Sequence, residues 1–464
     1  MNSAPLPITP NALADRARRG PRYTSYPPAT ELNKEFTFEQ AKRELDAGGD
    51  GPISLYCHIP YCRSLCWYCG CNVKISRDRV KGTSYVDTLI KELRMLAGHL
   101  GKRQQLTQLA LGGGSPNFLL DGDLRRLVAT IREHFDVASD AELGIELDPR
   151  DSTVEMLSSL SQLGFTRVSV GVQDYDPVVQ EAINRFQTVE QTADLVKAAR
   201  DLGFNNINFD LVYGLPAQTP SSFSHTIDAV VACAPQQIAL FGYAHLPSRA
   251  PHQRLVTRAH RLPNAVERAE LMLFAAEKFE DAGYIQVGID HFARPDSRLA
   301  HAALEGNLHR NFQGYVERRA ERLYGCGSSA ITDSGNAYWQ NHTDIKLWQQ
   351  GIDAGELPIA RGLRLDDDDQ IRRYAITRLM CDAELAMDQL ERKFDIKVAD
   401  YFAKELEVLS GPEFTDLVEL DVAEGWLSAT AMGCQLLRNI CMVFDRYNWT
   451  NGDGVQGPRF SPTV

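Results

Sequence analysis

The amino-acid sequence contains no apolar run long enough to cross a membrane, because charged residues or prolines interrupt each run well before that length. It also lacks an excess of basic residues. Its net charge of −12 at pH 7 argues against a nucleic-acid-binding surface, since such surfaces are basic. Residues 1–5 lack the basic and apolar regions of a secretory signal. We therefore expect a cytoplasmic protein without a membrane or nucleic-acid partner, in which thiols stay reduced.

Internal repeats and low-complexity segments are absent as well. The chain has 464 residues, which exceeds a single ordinary domain and is enough to bury a large core. Its composition of 44% hydrophobic and 24% charged residues is normal for a soluble globular protein. These features predict a globular protein of more than one domain.

Cysteine, in contrast, is concentrated in one place. Five of the ten cysteines lie between Cys57 and Cys71, and three of them, Cys62, Cys66 and Cys69, have the spacing C-x3-C-x2-C. A cubane [4Fe-4S] cluster is ordinarily held by four cysteines. Three thiolates therefore leave one iron open to a small molecule, which turns an electron-transfer cluster into a reaction site.

Other kinds of cysteine site fit the sequence less well. A structural zinc site needs a second cysteine pair or two histidines downstream, and the remaining cysteines are scattered singly, at Cys233, Cys326, Cys381, Cys434 and Cys441. A disulfide framework belongs to small secreted domains. Zinc and redox-active thiols stay open as alternatives to an iron–sulfur site.

The middle of the chain alternates between strand-like and helix-like patterns. Short β-rich runs occupy residues 53–59, 106–111, 143–147, 167–172, 207–213 and 238–243, with a weaker run at 284–289. Helical patterns between them cover residues 85–100, 124–135, 154–163, 189–202 and 221–232. This alternation indicates βαβ units around a parallel sheet. Six or more units in this length favour a full or partial (β/α) barrel over an open Rossmann sheet.

Polar residues gather where these strands end, which is where barrel enzymes place their chemistry. After the cysteine run, the strand ends carry the turn 112–116 (Gly-Gly-Gly-Ser-Pro), then Glu146 with Asp148, Gln173, Asp210 and His245. Each has a structural explanation too, because a glycine turn needs no ligand and a barrel carboxylate can be satisfied by neighbours. Asp210 lies in an apolar stretch, so a partner or a ligand is expected for it.

The rest of the chain is less regular. Residues 306–335 are dotted with glycine and suggest a loop region that closes over a site. Four acids at 366–369 indicate the start of a helix rather than a metal site. Strand patterns at 417–422 and 425–429 and a helix at 436–447 suggest a small, α-rich, winged-helix-like domain. We predict an N-terminal segment over 1–50, the barrel over 51–295, the closing loops over 296–364 and the C-terminal domain over 365–464.

These residues together carry a resemblance. The cysteine run, the glycine turn and the barrel pattern resemble the radical S-adenosylmethionine (SAM) superfamily, and within it the oxygen-independent coproporphyrinogen III oxidases (dehydrogenases) of haem biosynthesis. The similarity runs nearly end to end, through residues 21–27, 58–60, 171–174, 213–216, 243–247, 290–295, 309–315 and 438–442. Cys71 and the segment 309–315 favour the oxidases over the related haem-binding chaperones of the superfamily.

The resemblance implies a set of site residues. Cys62, Cys66 and Cys69 would ligate a [4Fe-4S] cluster with one open iron, to which a first SAM binds. Tyr56, Gly113, Glu146 and Ile331 match positions around that SAM. A second SAM is implied nearby, with matches at Tyr68, Gly114, Ser115, Gln173, Arg185, Asp210 and Ala244. Phe312 and Gln313 match residues needed for activity close to the cofactors, and Cys71 matches a family cysteine that is not a cluster ligand.

The resemblance also implies the reaction and the partners. A reduced cluster would cleave SAM to a 5′-deoxyadenosyl radical, which takes hydrogen from a propionate of coproporphyrinogen III. Two oxidative decarboxylations would then give protoporphyrinogen IX. A one-electron donor such as flavodoxin or ferredoxin and a monomeric state are implied too. The tetra-anionic substrate needs cations, which makes Arg22, in the basic stretch 16–22, a candidate propionate contact. A haem-binding chaperone without oxidase activity and a simple electron-transfer protein are the alternatives.

Overall fold

The structure is a computed structural model that describes residues 7–317, 320, 322–450 and 460–464. Within these residues, none of the helices is long and apolar enough to span a membrane.

The strands of the described residues are short, apart from those of the barrel sheet. They are β1 (Ile53–Ile59), β2 (Tyr61–Cys62), β3 (Lys74–Ile75), β4 (Gln105–Gly113), β5 (Asp136–Leu147), β6 (Arg167–Gln173), β7 (Asn206–Tyr213), β8 (Gln237–Gly242), β9 (Ile285–Val287), β10 (His291–Ala293), β11 (His309–Asn311), β12 (Gly314–Val316), β13 (Arg322–Cys326), β14 (Ile331–Asp333), β15 (Ala337–Asn341), β16 (Ile359–Arg364), β17 (Glu384–Ala386), β18 (Val418–Asp421) and β19 (Trp426–Ala429).

The α-helices alternate with the strands in the barrel and predominate near the end of the chain. They are α1 (Pro10–Arg16), α2 (Phe38–Ala47), α3 (Val80–Leu100), α4 (Asp121–His134), α5 (Val154–Gln162), α6 (Pro177–Ile183), α7 (Val189–Asp201), α8 (Pro220–Cys233), α9 (Ala265–Asp281), α10 (Arg298–Leu304), α11 (Ile345–Asp353), α12 (Asp367–Asp382), α13 (Met387–Phe394), α14 (Val398–Tyr401), α15 (Ala403–Leu409), α16 (Ala431–Gln435), α17 (Leu437–Phe444) and α18 (Arg446–Thr450).

One twelve-stranded sheet organises the protein, in the order β16-β15-β14-β13-β1-β4-β5-β6-β7-β8-β10-β9. The six strands from β1 to β8 in this order are parallel to one another, and at least one helix connects each strand to the next. Parallel neighbours require such crossovers. The strands at the two ends of the order, β16 and β9, are not paired with each other in the described residues. The predicted α/β fold with a partial (β/α)6-type barrel is confirmed.

The local signals for these elements are strong. In β1 the alternate residues Ile53, Leu55, Cys57 and Ile59 are fully buried, as a strand packed under helices requires. The helices α7, α8 and α9 each begin with a capping box, in which a side chain bonds the amide three residues on. The strand β5 begins at Asp136, seven residues before the predicted run. The prediction missed these residues because the first half of the strand is polar and partly exposed.

The prediction of an irregular segment over residues 306–335 is wrong in part, because four strands, β11 to β14, lie within it. Among them, β13 pairs in parallel with β1, so that Gly325 lies opposite Tyr56 and Cys326 opposite Cys57. A Cβ on Gly325 would lie 2.5 Å from the carbonyl oxygen of Ile331, so glycine is needed for this close approach. The predicted domain boundaries stay predictions.

The C-terminal region is helical and carries a small antiparallel sheet in the order β17-β19-β18. The predicted strands at 417–422 and 425–429 correspond to β18 and β19, and β17 was not predicted. The helix predicted at 436–447 is divided at Asp445, which has an extended backbone. Asp366 caps α12 in a capping box with Asp369, so the acidic run at 366–369 does begin a helix.

The N-terminal segment lies between the barrel and the C-terminal region. Arg438 in α17 donates a hydrogen bond to the carbonyl of Pro21 (2.9 Å), and the Tyr23 hydroxyl donates to Asp445 Oδ2 (3.0 Å). Towards the barrel, Arg22 donates to the carbonyl of Gly242 at the end of β8 (2.6 Å). The segment around residue 22 is therefore fixed at the mouth of the barrel.

Glu92 is a fully buried carboxylate that joins α3 to the neighbouring elements. It accepts hydrogen bonds from the Gly327 amide (2.7 Å), from Asn341 Nδ2 (2.6 Å) and from Trp348 Nε1 (3.0 Å). Burial raises its pKa to about 7, against these three hydrogen bonds, which lower it. This folded-state pKa lies above the ordinary value of 4.5. Protonation of Glu92 therefore stabilises the folded protein fully below pH 4.5, and this contribution is lost as the pH rises through 7.

Glu92→Gln is therefore expected to change the pH dependence of stability. Relative to the variant, the wild type should lose about 3 kcal/mol of stability between roughly pH 5 and 8. Thermal melting of both proteins over a pH series measures this difference. The exposed Glu39→Gln serves as the control and should keep the wild-type profile. Parallel profiles for the Glu92→Gln protein and the wild type would contradict the assigned pKa.

Candidate active site at the barrel mouth

A cavity of about 410 Å³, called the first cavity below, opens at the carboxyl ends of the parallel strands. Most of the residues predicted for the site meet there. They are Arg22, Cys62, Cys66, Tyr68, Cys69, Cys71, Gly113, Gly114, Ser115, Glu146, Gln173, Arg185, Asp210 and Ala244. These positions span more than 220 residues of sequence. The parallel sheet brings most of them together because they follow or border a strand end, whereas Arg22 comes from the N-terminal segment and Arg185 follows α6.

The sulfur atoms of the three cysteines at C-x3-C-x2-C spacing all accept hydrogen bonds. The Ser115 hydroxyl lies 3.6 Å from Cys62 Sγ, Arg150 Nη2 lies 3.5 Å from Cys66 Sγ, and the Cys71 amide donates to Cys69 Sγ at 3.4 Å. Donors at each sulfur favour the thiolate form. The three side chains are therefore suited to binding metal as thiolates.

The titration of these thiols depends on their surroundings. Burial raises the pKa of Cys62 to about 12, whereas the hydrogen bond with Cys71 lowers the pKa of Cys69 to about 7. A coordinated metal deprotonates a thiol outright. In the described part of the chain, no group of three or more His, Cys, Asp or Glu side chains is arranged around a single ion. Ligands of a cubane cluster bind separate irons and so stand further apart than the ligands of one ion.

The glycine turn after β4 lets the cysteine run approach the barrel. Gly113 has φ +113°, and a Cβ there would lie 2.4 Å from the ring of His58. A Cβ on Gly114 would lie 2.8 Å from the carbonyl oxygen of Tyr61. The amide of Gly114 donates to the carbonyl of Ile59 (2.8 Å). Close packing of this turn on the start of the run explains the glycines, and it also leaves bare backbone facing the first cavity.

Two carboxylates line the first cavity: the Glu146 side chain is exposed within it and Asp210 is half-buried. Glu146 Oε2 accepts from the Gly113 amide (3.0 Å), and desolvation within the cavity raises the pKa of Glu146 to about 7. Asp210 accepts from the Ser169 hydroxyl (2.9 Å) and from Asn208 Nδ2 (2.8 Å), and burial raises its pKa too. Carboxylates in this setting are suited to accepting hydrogen bonds from ligand hydroxyl or ammonium groups.

Asp148 is the centre of an ion-pair network beside Cys66. Its carboxylate lies 2.6 Å from Arg150 Nη2 and 3.2 Å from Arg185 Nη1. Burial acts to raise the pKa of Asp148, but Arg185 and Arg150 hold it at about 2. Arg185 Nη1 lies 3.6 Å from Cys66 Sγ, and its buried Nε has no partner in the described residues. The network fixes two guanidinium groups against one sulfur.

Arg22 reaches the first cavity from the N-terminal segment. Its guanidinium lies 5.6 Å from the centre of the Phe241 ring. Two further arginines lie nearby: burial and the charge of Arg22 lower the pKa of Arg438 to about 10, and burial, with smaller effects from Arg22 and Arg19, lowers that of Arg268. Positive charge is therefore concentrated around Arg22, with two buried arginines behind it.

Four predicted residues lie outside the lining of the first cavity. The Tyr56 hydroxyl bonds His58 Nδ1 (3.1 Å) beneath the cysteine run, and Ile331 starts β14. Phe312 lines a second cavity of about 310 Å³ that also borders Tyr23 and helix α12. Gln313 follows it, and its buried Nε2 has no partner in the described residues. The structure therefore places Phe312 in a cavity separate from the cysteines, beside the segment that carries Arg22.

Sequence reasoning missed three residues of the site. Arg150 stands two residues after Asp148, and an acid, a proline and an arginine directly after a strand are a local signal for an ion pair. Gln253 Nε2 donates to the carbonyls of Tyr68 (2.8 Å) and Ala244 (3.2 Å), and no pattern in its neighbourhood indicates this. Phe241 lies within the apolar strand β8, where its position under Arg22 is not visible from sequence. His245, predicted from its strand end, bonds the Tyr243 hydroxyl instead (3.0 Å).

Comparison with known proteins gives a consistent result. The Radical SAM superfamily matches residues 56–230. The oxygen-independent coproporphyrinogen III oxidase of Pseudomonas aeruginosa is 43% identical over 442 residues, covering 94% of this chain and 95% of the relative. The same enzyme of Escherichia coli K12 is 40% identical, covering 92% and 93%. A solved structure of coproporphyrinogen III oxidase from Escherichia coli, described as a radical SAM enzyme, aligns with TM-score 0.88 and 40% identity over 92% of this chain and 97% of that one.

Proposed function

The chain belongs to the oxygen-independent coproporphyrinogen III oxidases of the radical SAM superfamily, and from this premise we propose how its first cavity serves the reaction. The protein is an oxidoreductase that converts two propionate side chains of coproporphyrinogen III to vinyl groups without oxygen and gives protoporphyrinogen IX. Its cofactors are a [4Fe-4S] cluster and SAM. The observation that carries the proposal is the convergence of three hydrogen-bonded cysteine sulfurs and the carboxylates of Glu146 and Asp210 on one cavity.

The residues present fit these cofactors. Cys62, Cys66 and Cys69 supply three sulfur ligands, each with its own hydrogen-bond donor, and leave the fourth iron for SAM. Cluster and SAM, when bound, supply the radical that removes a hydrogen atom from the propionate β-carbon, after which carbon dioxide and one electron are lost. Cys71 lies beside Cys69 as a donor through its amide and is not assigned as a ligand.

The lining of the first cavity supplies the contacts to SAM. Glu146 accepts hydrogen bonds from a first molecule, beside the bare backbone of Gly113, whose amide orients the carboxylate. Arg185 keeps its Nε free of partners in the described residues, so this donor is available to the carboxylate of a second molecule. Gln173, Asp210 and Ala244 line the same wall. Gln253 links the cysteine run to the residues after β8, because it donates to the carbonyls of both Tyr68 and Ala244. These two sides of the cavity are therefore fixed relative to each other.

Substrate contacts are assigned to the cationic entrance. Coproporphyrinogen III carries four carboxylates, and Arg22 lines the entrance with its charge close enough to the buried Arg268 and Arg438 to lower their pKa. A bound propionate would relieve this repulsion. Phe312 lines the second cavity next to the same segment, and Gln313 follows it in the chain, so a macrocycle held at the entrance would border this turn.

Arg22→Ala is expected to raise the KM for coproporphyrinogen III about tenfold, which corresponds to about 1.4 kcal/mol, with a smaller effect on kcat. The substitution removes the guanidinium that would pair with a substrate propionate. Arg22 is not assigned to SAM, so the KM for SAM should not change. Steady-state kinetics under anaerobic conditions measure both constants. Arg18→Ala removes an exposed arginine of the same basic stretch, paired with Glu413, and should resemble the wild type. An unchanged substrate KM in Arg22→Ala would remove this residue from the substrate site.

The reaction itself is tested anaerobically with reconstituted protein, dithionite, SAM and coproporphyrinogen III, followed by chromatography of the products. Deoxyadenosine together with protoporphyrinogen IX supports the proposal. Deoxyadenosine without protoporphyrinogen IX would favour the haem-binding chaperone reading, and absence of SAM cleavage would refute the radical mechanism. We also propose that the protein is a monomer and that it receives its electron from a reduced one-electron donor. We place it in the cytoplasm because a cluster with an open iron requires a reducing compartment.

A further inference from the structure

Two stretches of this acidic chain contain no acidic residue at all. There is no Asp or Glu between residues 51 and 77, which include the cysteine run, and none between residues 229 and 266. The stretches lie more than 150 positions apart in the sequence. In a chain with 61 acidic residues among 464 and a net charge of −12, two acid-free stretches of this length make the local charge strongly positive.

The fold brings these two stretches into direct contact. His252 Nε2 lies 2.7 Å from the carbonyl oxygen of Cys69, and Gln253 Nε2 donates to the carbonyl of Tyr68 at 2.8 Å. Val256, three residues on, is buried in a small apolar cluster against which Trp67 and Tyr68 pack. The segment 249–261 therefore forms an outer wall directly against the proposed cluster ligands.

The basic side chains of both stretches point to solvent. We call the following set the basic face: Arg63, Lys74, Arg77, Arg249, Arg254 and Arg258, all of them exposed. Across the described ranges of the chain, Arg249, Arg254 and Arg258 form no ion pair with a carboxylate. Arg249 also lies near another cation, Arg361. The pKa of Arg361 is lowered by its own burial and by the positive charge of Arg249. Unpaired positive charge on this scale is suited to an anionic partner.

Exposed apolar residues accompany the basic face. Leu255, between Arg254 and Val256, is 37% exposed, and Phe186 is 59% exposed. Phe186 directly follows Arg185, whose guanidinium contacts Cys66 Sγ. Apolar contacts within a charged surround are typical of transient protein interfaces. The face therefore offers a protein partner a short path to the cysteine sulfurs.

We propose that the basic face docks an acidic one-electron carrier protein, which reduces the cluster held by Cys62, Cys66 and Cys69. The reduced carrier loses one electron and the cluster gains it. Charge complementarity selects this occupant, because the substrate carboxylates already have Arg22 at the cavity entrance. The proposal rests on the proposed function, since without a cluster there is nothing at this face to reduce.

The test compares the reduction of the reconstituted cluster by flavodoxin hydroquinone and by dithionite, followed by stopped-flow absorbance. The variant is Arg254→Glu with Arg258→Glu. Reduction by flavodoxin should be at least tenfold slower than in the wild type at low salt, and the wild-type rate should fall steeply as salt is added. Reduction by dithionite and the iron content should stay within twofold. The matched control, Arg94→Glu with Arg392→Glu, reverses two exposed arginines elsewhere and should behave as the wild type.

Equal flavodoxin rates in the variant and in the matched control would overturn the proposal. A raised KM for coproporphyrinogen III with unaltered flavodoxin reduction would also overturn it, and would assign the face to substrate steering. If the wild-type protein showed no cluster reducible by dithionite, the proposed function would fail together with the docking proposal. That outcome is distinct, because it appears before any variant is compared.

Discussion

Cys62→Ser is expected to yield a folded protein that no longer holds its cluster and no longer turns over. A hydroxyl is a poor replacement for a thiolate ligand of iron. Changes in residues that merely support a metal ligand already cost 10–100-fold in metal affinity, so loss of a ligand should cost more than about 100-fold. Iron content after anaerobic reconstitution, the visible absorption of the cluster and deoxyadenosine formation measure the three consequences.

The chain contains its own controls for this experiment. Cys57→Ser alters a buried cysteine of β1, five residues away, and should keep both the cluster and turnover, although burying a hydroxyl there will lower stability. Cys71→Ser keeps the amide that donates to Cys69 Sγ and should also keep the cluster. A Cys62→Ser protein with wild-type iron content would show that the C-x3-C-x2-C spacing had been misread. Loss of iron in Cys71→Ser would add a fourth ligand and remove the open iron.

Asp148→Asn is expected to be the most destabilising single polar substitution at the site. It leaves the guanidinium groups of Arg150 and Arg185 without their common carboxylate, and Arg185 is fully buried. Breaking a buried ion pair by removing one partner costs about 3–5 kcal/mol. Asp151→Asn is the matched control, because its pair with Arg63 is partly exposed and such pairs contribute about 0–1 kcal/mol. Chemical denaturation monitored by fluorescence gives both values.

A double-mutant cycle separates this explanation from a general packing defect. In the protein with both Asp148→Asn and Arg150→Gln, one of the two orphaned charges is gone, so part of the lost stability should return. Strictly additive losses would contradict the charge-network interpretation. The same variants bear on the cluster, because Arg150 donates to Cys66 Sγ and hydrogen bonds to sulfur influence the reduction potential of a cluster.

The barrel could be predicted from sequence because its signals are local. The apolar alternation of β1 and the capping residues of α7, α8 and α9 act within a few residues of the elements they define. The strands β11 to β14 could not be predicted, since they are only three to five residues long, and β13 is stabilised by its pairing with β1 across more than 260 residues. The first half of β5 was missed for a different reason, because it is polar and partly exposed and shows no apolar run.

The residues of the candidate site also fall into those that the sequence predicts and those that only the structure reveals. Strand-end residues such as Glu146 and Asp210 could be found because a parallel sheet places all its strand ends on one side. Gln253 and Phe241 could not, because their roles depend on which side chain lies opposite them. Phe312 was expected near the cofactors, and the structure places it in a separate cavity behind the segment that carries Arg22.

The sequence by itself determined the chemistry available to this protein: three thiols at a fixed spacing, a glycine turn that admits close approach, and carboxylates at strand ends. Spacing and residue type are covalent properties, so they need no fold to be read. Only the tertiary structure decided which groups act together. Arg150 and Arg185 meet at Cys66, and two acid-free stretches join into one basic face. Both results depend on contacts between distant segments, which form only when the parallel sheet has assembled.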